Sequence, residues 1–353
     1  MQLTLFSICM AVIWSSVLAA FNYFCRKKHF FIRHLGMANL LFLYLFPLVR
    51  MMAPFEFPFA RVIPLKGTLG SLCGDTSPKT AGMPLSPWTI LGALWAGVAA
   101  VLLLRFLCQY IKSMKEFSTY PLCGDAQCQR ILQQVIGEGK KRMRVQARRS
   151  SHVYVPRGAG IFQKTILLPD GVYSDAELYY ILRHECTHFR NKDLPIKLLV
   201  HLYSCVFWWN PVIYLIKRDL AQILEIKCDL DVTERMENRE KAEYLATIVA
   251  SLKKAEAKKP QKAFYGTAAL AARTYDSEIL ERFLIVSSGL GARRKSLAFT
   301  GAWLLVFTLL IFASYSFVLQ PDYHPLAEEG ASVPEAPYTV KCIDGTYYVS
   351  FPR

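Results

Sequence analysis

LRHECTHFR, residues 182–190, carries two histidines four positions apart, with a glutamate directly after the first. On an α-helix, His184 and His188 fall one turn apart on the same face, where both imidazoles can reach one metal ion. Glu185 is then placed to act as general base on a water held by that ion. The pattern is H-E-x-x-H, which points to zinc: the ion lowers the pKa of water to about 7 and polarises a carbonyl. Just upstream, Ser174 and Glu177 have the spacing of a capping box and predict a helix from there to about Arg190. Val153–Pro156 and Thr165–Pro169 are short apolar runs bounded by Gly and Pro, and read as strands. The motif therefore sits on a capped helix that follows a strand. A surface helix with incidental His and Glu is the bland alternative, and this setting argues against it.

A catalytic zinc needs a third protein ligand. EIKCD (225–229) lies in Val212–Glu237, which reads as a further helix. Glu225 and Asp229 share a face of it. A His₂Glu set would use Glu225 on the metal and Asp229 behind a histidine; on spacing alone, the two are equally well read as solvated helix charges. Asp193 is either a support to the site or a charge at a helix end. Cys186 and Cys228 read as small buried packing residues. No oxyanion stabiliser stands out; a Tyr or Arg would have to serve, with Tyr244 and Arg235 as candidates.

The surrounding chain is apolar. Of 353 residues, 53% are hydrophobic and only 20% charged, which excludes a disordered chain and favours a membrane setting. Ten scattered Cys do not make a disulfide-rich scaffold. Four runs are long enough to cross a bilayer: 3–25, 35–52, 88–110 and 297–319. The first has its basic cluster after it rather than before, as in a retained anchor. Lys and Arg number 42 against 27 acidic residues, and 35 of the 42 fall within 26–34 and 111–296. The positive-inside rule then puts those two segments in the cytoplasm, and the N-terminus, the loop 54–87 and the tail 320–353 outside. The basic balance is thus a topology signal, and direct nucleic-acid binding is not expected. Arg50 and Arg105, near span ends, are expected to snorkel.

A fifth apolar run, 198–216, contains His201, Asn210 and Pro211. Crossing there would put Glu225 on the other side from His184. It is read as a buried or re-entrant hairpin broken near Asn210-Pro211. Gln127–Gly137 and Glu240–Lys259 read as helices. Cys73 and Cys342 are the two cysteines expected outside, and could form a disulfide. Cys123 and Cys128 are spaced like a loose metal pair but read as ordinary thiols.

Several pieces together resemble the BlaR/MecR-type membrane zinc metallopeptidases, the antirepressor signal transducers of β-lactam resistance. These are LRHECTHFRNKD (182–193), FWWNP (207–211), EIKCD (225–229) and GIFQKTILLPDG (160–171). The likeness covers roughly 1–320. It implies one Zn²⁺ held by His184, His188 and Glu225, with Glu185 as catalytic base. The expected fold is a mainly α membrane protein: four transmembrane helices and a cytoplasmic α+β zincin-like (gluzincin) domain over 111–296. Strand 164–169 would lie beside the cleft, its edge open to an extended peptide. The sensor-bearing members carry a penicillin-binding domain after the fourth span. Here 34 residues follow it, and the one S-x-x-K string noted, SLKK (251–254), falls on a cytoplasmic helix, so β-lactam acylation is not expected.

The expectation is a plasma-membrane zinc metalloendopeptidase. Its role would be signal transduction, by cleavage of itself, of a cytosolic repressor of winged-helix type, or of both. Loop 287–296 is the expected self-cleavage region, and a homo-oligomer is left open. The competing reading is a non-catalytic membrane sensor that binds a cytosolic partner. An intact Glu185 argues against it, because a structural zinc site needs no base.

Overall fold

A computed structural model describes residues 5–55, 57, 60–65, 87–139, 143–258, 268–289, 296–321, 339–343 and 346–350. The chain divides into two units, Met1–Val62 with Ala81–Val318, and Ile63–Thr80 with Leu319–Arg353. In the first unit, α1 (Leu5–Arg26), α2 (His29–Leu43), α3 (Leu45–Met52) and α4 (Pro87–Thr119) precede the metal-motif region. That region comprises α5 (Ala126–Gly137), β1 (Val145–Ser150), β2 (Arg157–Ala159), β3 (Lys164–Pro169) and α6 (Asp175–Asn191). It continues through α7 (Asp193–Val206), α8 (Pro211–Thr233), α9 (Asn238–Lys258) and α10 (Ala268–Ser287), and α11 (Leu297–Ser316) closes the unit. In the second unit, β4 (Thr339–Ile343) and β5 (Thr346–Ser350) pair antiparallel. The protein is mostly helical.

Four helical stretches are long and apolar enough to cross a membrane: Phe6–Arg26, Phe30–Met52, Thr89–Thr119 and Leu297–Ser316. They fall where the sequence predicts spans, with two differences. The second begins at Phe30 rather than 35, because Phe30 and Phe31 pack their rings on Phe299 and Trp303 of α11. Arg33 and His34 lower the local hydropathy there and hide the helix start. This helix is interrupted at Gly36, whose φ of 74° is open to glycine alone at little cost. The third runs nine residues past 110, through Lys112, Lys115 and Glu116, which lower hydropathy without breaking a helix. Its far end packs Met114 and Phe117 against Val153, Ala159 and Leu167 of the sheet region. Arg50 does not snorkel. It is 2% exposed, donates from Nε to Ser314 Oγ (3.0 Å), and stacks over the Tyr315 ring.

The three-stranded sheet has the order β1-β3-β2, with β1 parallel and β2 antiparallel to β3. Strand β1 lies in what reads as a run of basic residues. Its Arg149 pairs with Asp125 and its Arg148 donates to the Tyr120 carbonyl, while Ala147 faces the core. The predicted strand at 153–156 falls instead at 157–159, after Pro156. Because β3 is flanked on both sides, its backbone groups are consumed. The free edge beside the cleft belongs to β2, not to 164–169.

Helix α6 starts as predicted. Ser174 Oγ accepts from Glu177 N, and the Glu177 carboxylate accepts from Ser174 N. Leu178, Ile181, Leu182, Cys186 and Phe189 bury the opposite face against Ile166, Leu168 and the α5 residues Ile131, Leu132 and Val135. Each such aliphatic side chain contributes about 1.5–3 kcal/mol by burial. Cys123 and Cys128 are free thiols in this core.

The segment 198–216 is a helical hairpin. Asn210 caps α8 by accepting from Val212 N, with Pro211 at the first helical position. The hairpin tip touches three spans, midway along the first and nearer an end of the other two: Asn210 Nδ2 donates to Ser16 Oγ, Tyr203 OH to the Leu48 carbonyl, and Trp95 Nε1 to the Val206 carbonyl. Irregular backbone at such a depth is tolerated where protein covers it, and Asn210 is 3% exposed.

Candidate metal centre and cleft

Three elements converge on the motif. His184, Glu185 and His188 come from the middle of α6 and are all buried, because the helix is sandwiched between the sheet and α8. The imidazole planes stand at 90°, with Nε2 to Nε2 at 3.1 Å. Two ring nitrogens that close can share one proton at most. Glu225 projects from α8 into the same space: Oε2 lies 3.6 Å from His184 Nε2 and Oε1 lies 3.5 Å from His188 Nε2. Four ligands at about 2.0–2.2 Å from a tetrahedral zinc are about 3.3–3.6 Å apart. The two Nε2 atoms and the Glu225 carboxylate, which sets one oxygen beside each histidine, thus lie at about the spacing of zinc ligands, and this donor set fits the ion.

The outer nitrogens are held as well. Helix α6 ends at Lys192 in the left-handed conformation (φ 59°, ψ 36°), which turns the chain directly into α7. That turn brings Asp193 back, and its Oδ2 lies 2.7 Å from His188 Nδ1. On the other ring, His184 Nδ1 lies 2.8 Å from Tyr244 OH and 3.4 Å from Asp229 Oδ1. Tyr244 OH donates to Asp229 Oδ1 at 2.6 Å. Carboxylates behind both rings fix tautomer and orientation. Asp193→Asn is expected to weaken zinc binding by about tenfold with the fold retained. Competition against a chelator measures this, and unchanged affinity would remove Asp193 from the site.

Cys228 offers an alternative third donor. Its Sγ, with the two histidines, forms a cluster of donor atoms within 4.8 Å. It lies 3.6 Å from His184 Nδ1 and 3.4 Å from the His184 carbonyl. That is the Tyr244 side of the His184 ring, and the same thiol also comes within hydrogen-bonding reach of His188.

Electrostatics favour a cation here. Burial alone would lower the His188 pKa, but hydrogen bonding to Asp193, Cys228 and Glu225 pushes it up to about 11. Burial would raise Glu225, yet hydrogen bonds from both histidines and the Lys197 charge hold it well below the usual range. Burial would also raise Asp229, and the Arg282 guanidinium with the His184 hydrogen bond brings it down to about 2. Lys197 Nζ donates to Glu225 Oε1 (2.9 Å), and Arg282 lies 3.4 Å from Oε2.

A cleft of about 360 Å³ opens onto this centre, lined among others by Pro156, Gly158, Glu185, Lys197 and Ile248. Glycine is required at 158: a Cβ would meet the Phe189 ring at 2.9 Å and Glu185 Oε2 at 3.3 Å. At Gly158 the face of β2 therefore packs directly against Glu185 and Phe189 of α6. Neither Tyr244 nor Arg235 lines the cleft, and the Tyr244 hydroxyl is engaged behind His184. Three residues with no sequence signature join the site: Tyr244 as a support, and Lys197 and Arg282 as cations on Glu225. Cys73 lies outside the described residues, as do 290–295 of the loop 287–296, while Cys342 lies in β4.

Comparison with known proteins adds to this geometry. The profile of the family described as BlaR1 peptidase M56 matches residues 5–283. The methicillin resistance mecR1 protein of Staphylococcus aureus is 30% identical over 103 residues, covering 28% of this chain and 18% of that protein. The regulatory protein BlaR1 of Bacillus licheniformis is 25% identical over 154 residues, 43% of this chain and 26% of that protein. The matched region is thus about a quarter or less of each relative's length.

Proposed function

The chain belongs to the BlaR1 peptidase M56 family, and from that premise we propose that it is an integral membrane zinc metalloendopeptidase with a cytoplasmic active site. The observation that carries the reading is the spacing of His184 Nε2, His188 Nε2 and Glu225, 3.1–3.6 Å apart, beside a cleft lined by Glu185. Zinc bound there would supply a Lewis acid and a water acidified to a pKa of about 7. Glu185 takes the proton of the attacking water and passes it to the leaving amine. The substrate backbone lies along the outer edge of β2 and is held there without its side chains being read, while Gly158 lets that strand pack close to Glu185 and Phe189. Asp193, Asp229 and Tyr244 orient the histidines from behind.

Charge and contact support this sidedness. The segments 26–34 and 111–296 hold 35 of the 42 basic residues, and Arg26 at the end of α1 pairs with Asp219 of α8. Both facts support one cytoplasmic face for the α1 end and the site.

The names of the relatives support a regulatory role. The reading is signalling by self-cleavage, by cleavage of a cytosolic transcriptional repressor of winged-helix type, or by both. Full-length chain reconstituted in lipid vesicles with zinc is expected to accumulate membrane fragments, with new N-termini mapping to 287–296. A zinc chelator should stop this. An intact chain under both conditions, with zinc bound, would remove self-cleavage and leave the repressor as substrate.

A further inference from the structure

We propose that Arg282 is a positioning residue for Glu225, and that α10, which carries it, couples the metal centre to the end of the first span. This rests on the metallopeptidase reading above.

Glu225 and Asp229 stand one turn apart on α8, and one guanidinium serves both. Arg282 donates to Asp229 through Nε (2.7 Å) and NH2 (2.9 Å), and its NH1 lies 3.4 Å from Glu225 Oε2. A planar fork can hold two carboxylates in fixed relative geometry, which an ammonium cannot. Through Asp229 the contact continues to Tyr244 and the His184 ring. Arg282 therefore touches the third donor directly and the first donor through two intervening side chains.

The preceding residue faces the membrane bundle. Glu281 Oε1 accepts from Arg26 NH1 at 2.7 Å, and Oε2 from Gln222 at 3.4 Å and Lys27 at 3.5 Å. Arg26 Nε in turn donates to Asp219 of α8, whose other oxygen accepts from Tyr44 OH beyond α2. Arg26 is 1% exposed and Asp219 3%. A pair so buried cannot separate without leaving bare charge in the protein interior. Neighbouring helix residues lie about 1.5 Å apart along the axis, so a shift of Glu281 with Arg26 carries Arg282 with it. Between these clamps, Glu278 accepts from Arg218 and, through its carbonyl, from Gln222. Helices α8 and α10 thus form a strap, held to the first span at one end and to the donor set at the other. Movement of the first span would be felt at Glu225.

The test uses the full-length chain in detergent. Zinc affinity is read by chelator competition, and donor geometry by the visible absorption of the cobalt-substituted protein. Arg282→Gln is expected to weaken zinc by about 10–100-fold and to shift the cobalt bands, and Arg282→Lys to recover part of both. Glu281→Gln, which touches no donor, should weaken zinc several-fold and move the bands in the same direction. The charge-neutral pair Arg26→Gln/Asp219→Asn leaves no charge unpartnered between them and should do the same, non-additively with Arg282→Gln. Unaltered affinity and spectra in Glu281→Gln and in the Arg26/Asp219 pair, beside a zinc-binding wild type, would overturn the coupling. A wild type that binds neither metal would overturn the metallopeptidase reading, and the coupling with it.

Discussion

Glu185→Gln is expected to lower peptide hydrolysis by about 10²–10⁴-fold while the protein keeps its zinc. The substitution is isosteric at a 7% exposed position, so packing against Gly158 and Phe189 is preserved. What is lost is the group that takes a proton from the attacking water. The decisive reading is the split between two measurements on the same preparation: about one zinc per chain, and hydrolysis at background. A variant that retains wild-type turnover would mean that Glu185 is not the base. If signalling also survived, the non-catalytic sensor would become the better account.

The second large effect is loss of the metal. His188→Ala and Glu225→Ala each remove one of three donors, and both are expected to bring zinc content from about one per chain to near zero after dialysis. A three-donor protein site has little to spare, because the fourth position is left to water or substrate. The two variants differ in what remains. Without Glu225, Lys197 and Arg282 face the histidines with no carboxylate between them, so like charge repels any incoming cation. Without His188, Asp193 is left buried at 1% exposure with no imidazole to meet it, a cost of about 1–3 kcal/mol or more in stability. Glu225→Ala should therefore lose metal at little change in melting temperature, and His188→Ala should lose both. If Glu225→Ala kept its zinc, Cys228, 3.6 Å from His184 Nδ1, would be the donor to examine next.

The candidate site residues that meet in the structure are legible in the sequence because they obey helical spacing. His184 and His188, Glu225 and Asp229, and Ser174 with Glu177 are all pairs three or four apart, and local rules suffice to place them. Four spans are legible for an equally local reason, their apolar length. The rest depends on what lies across a gap. Nothing local marks Arg282, which reads as one more charge on a mixed helix until α8 is set beside it. Tyr244 could be weighed as a transition-state donor only while its partners were unseen; with Asp229 at 2.6 Å its hydroxyl is committed. Strand β1 is disguised because Arg148 and Arg149 find partners outside the strand. The cleft edge passes from 164–169 to Arg157–Ala159 because sheet order is a tertiary property that no single strand announces. Arg50 departs from snorkelling because Ser314 and Tyr315, on a helix more than 260 residues later, offer a hydrogen bond and a ring face.

The hairpin tip at 207–210 has a further consequence. His184 and His188 precede it in the chain and Glu225 follows it, while Asn210, Tyr203 and Val206 take their hydrogen-bond partners from Ser16, Leu48 and Trp95. The two halves of the donor set are therefore joined by a segment that can settle only once the bilayer-embedded helices are in place. An excised fragment beginning at 111 would leave the tip's polar groups unmatched and its apolar flank in water. On the proposed zinc reading, such a fragment is expected to load metal poorly beside the full-length chain, because the segment that joins the two halves of the donor set would not be held in place.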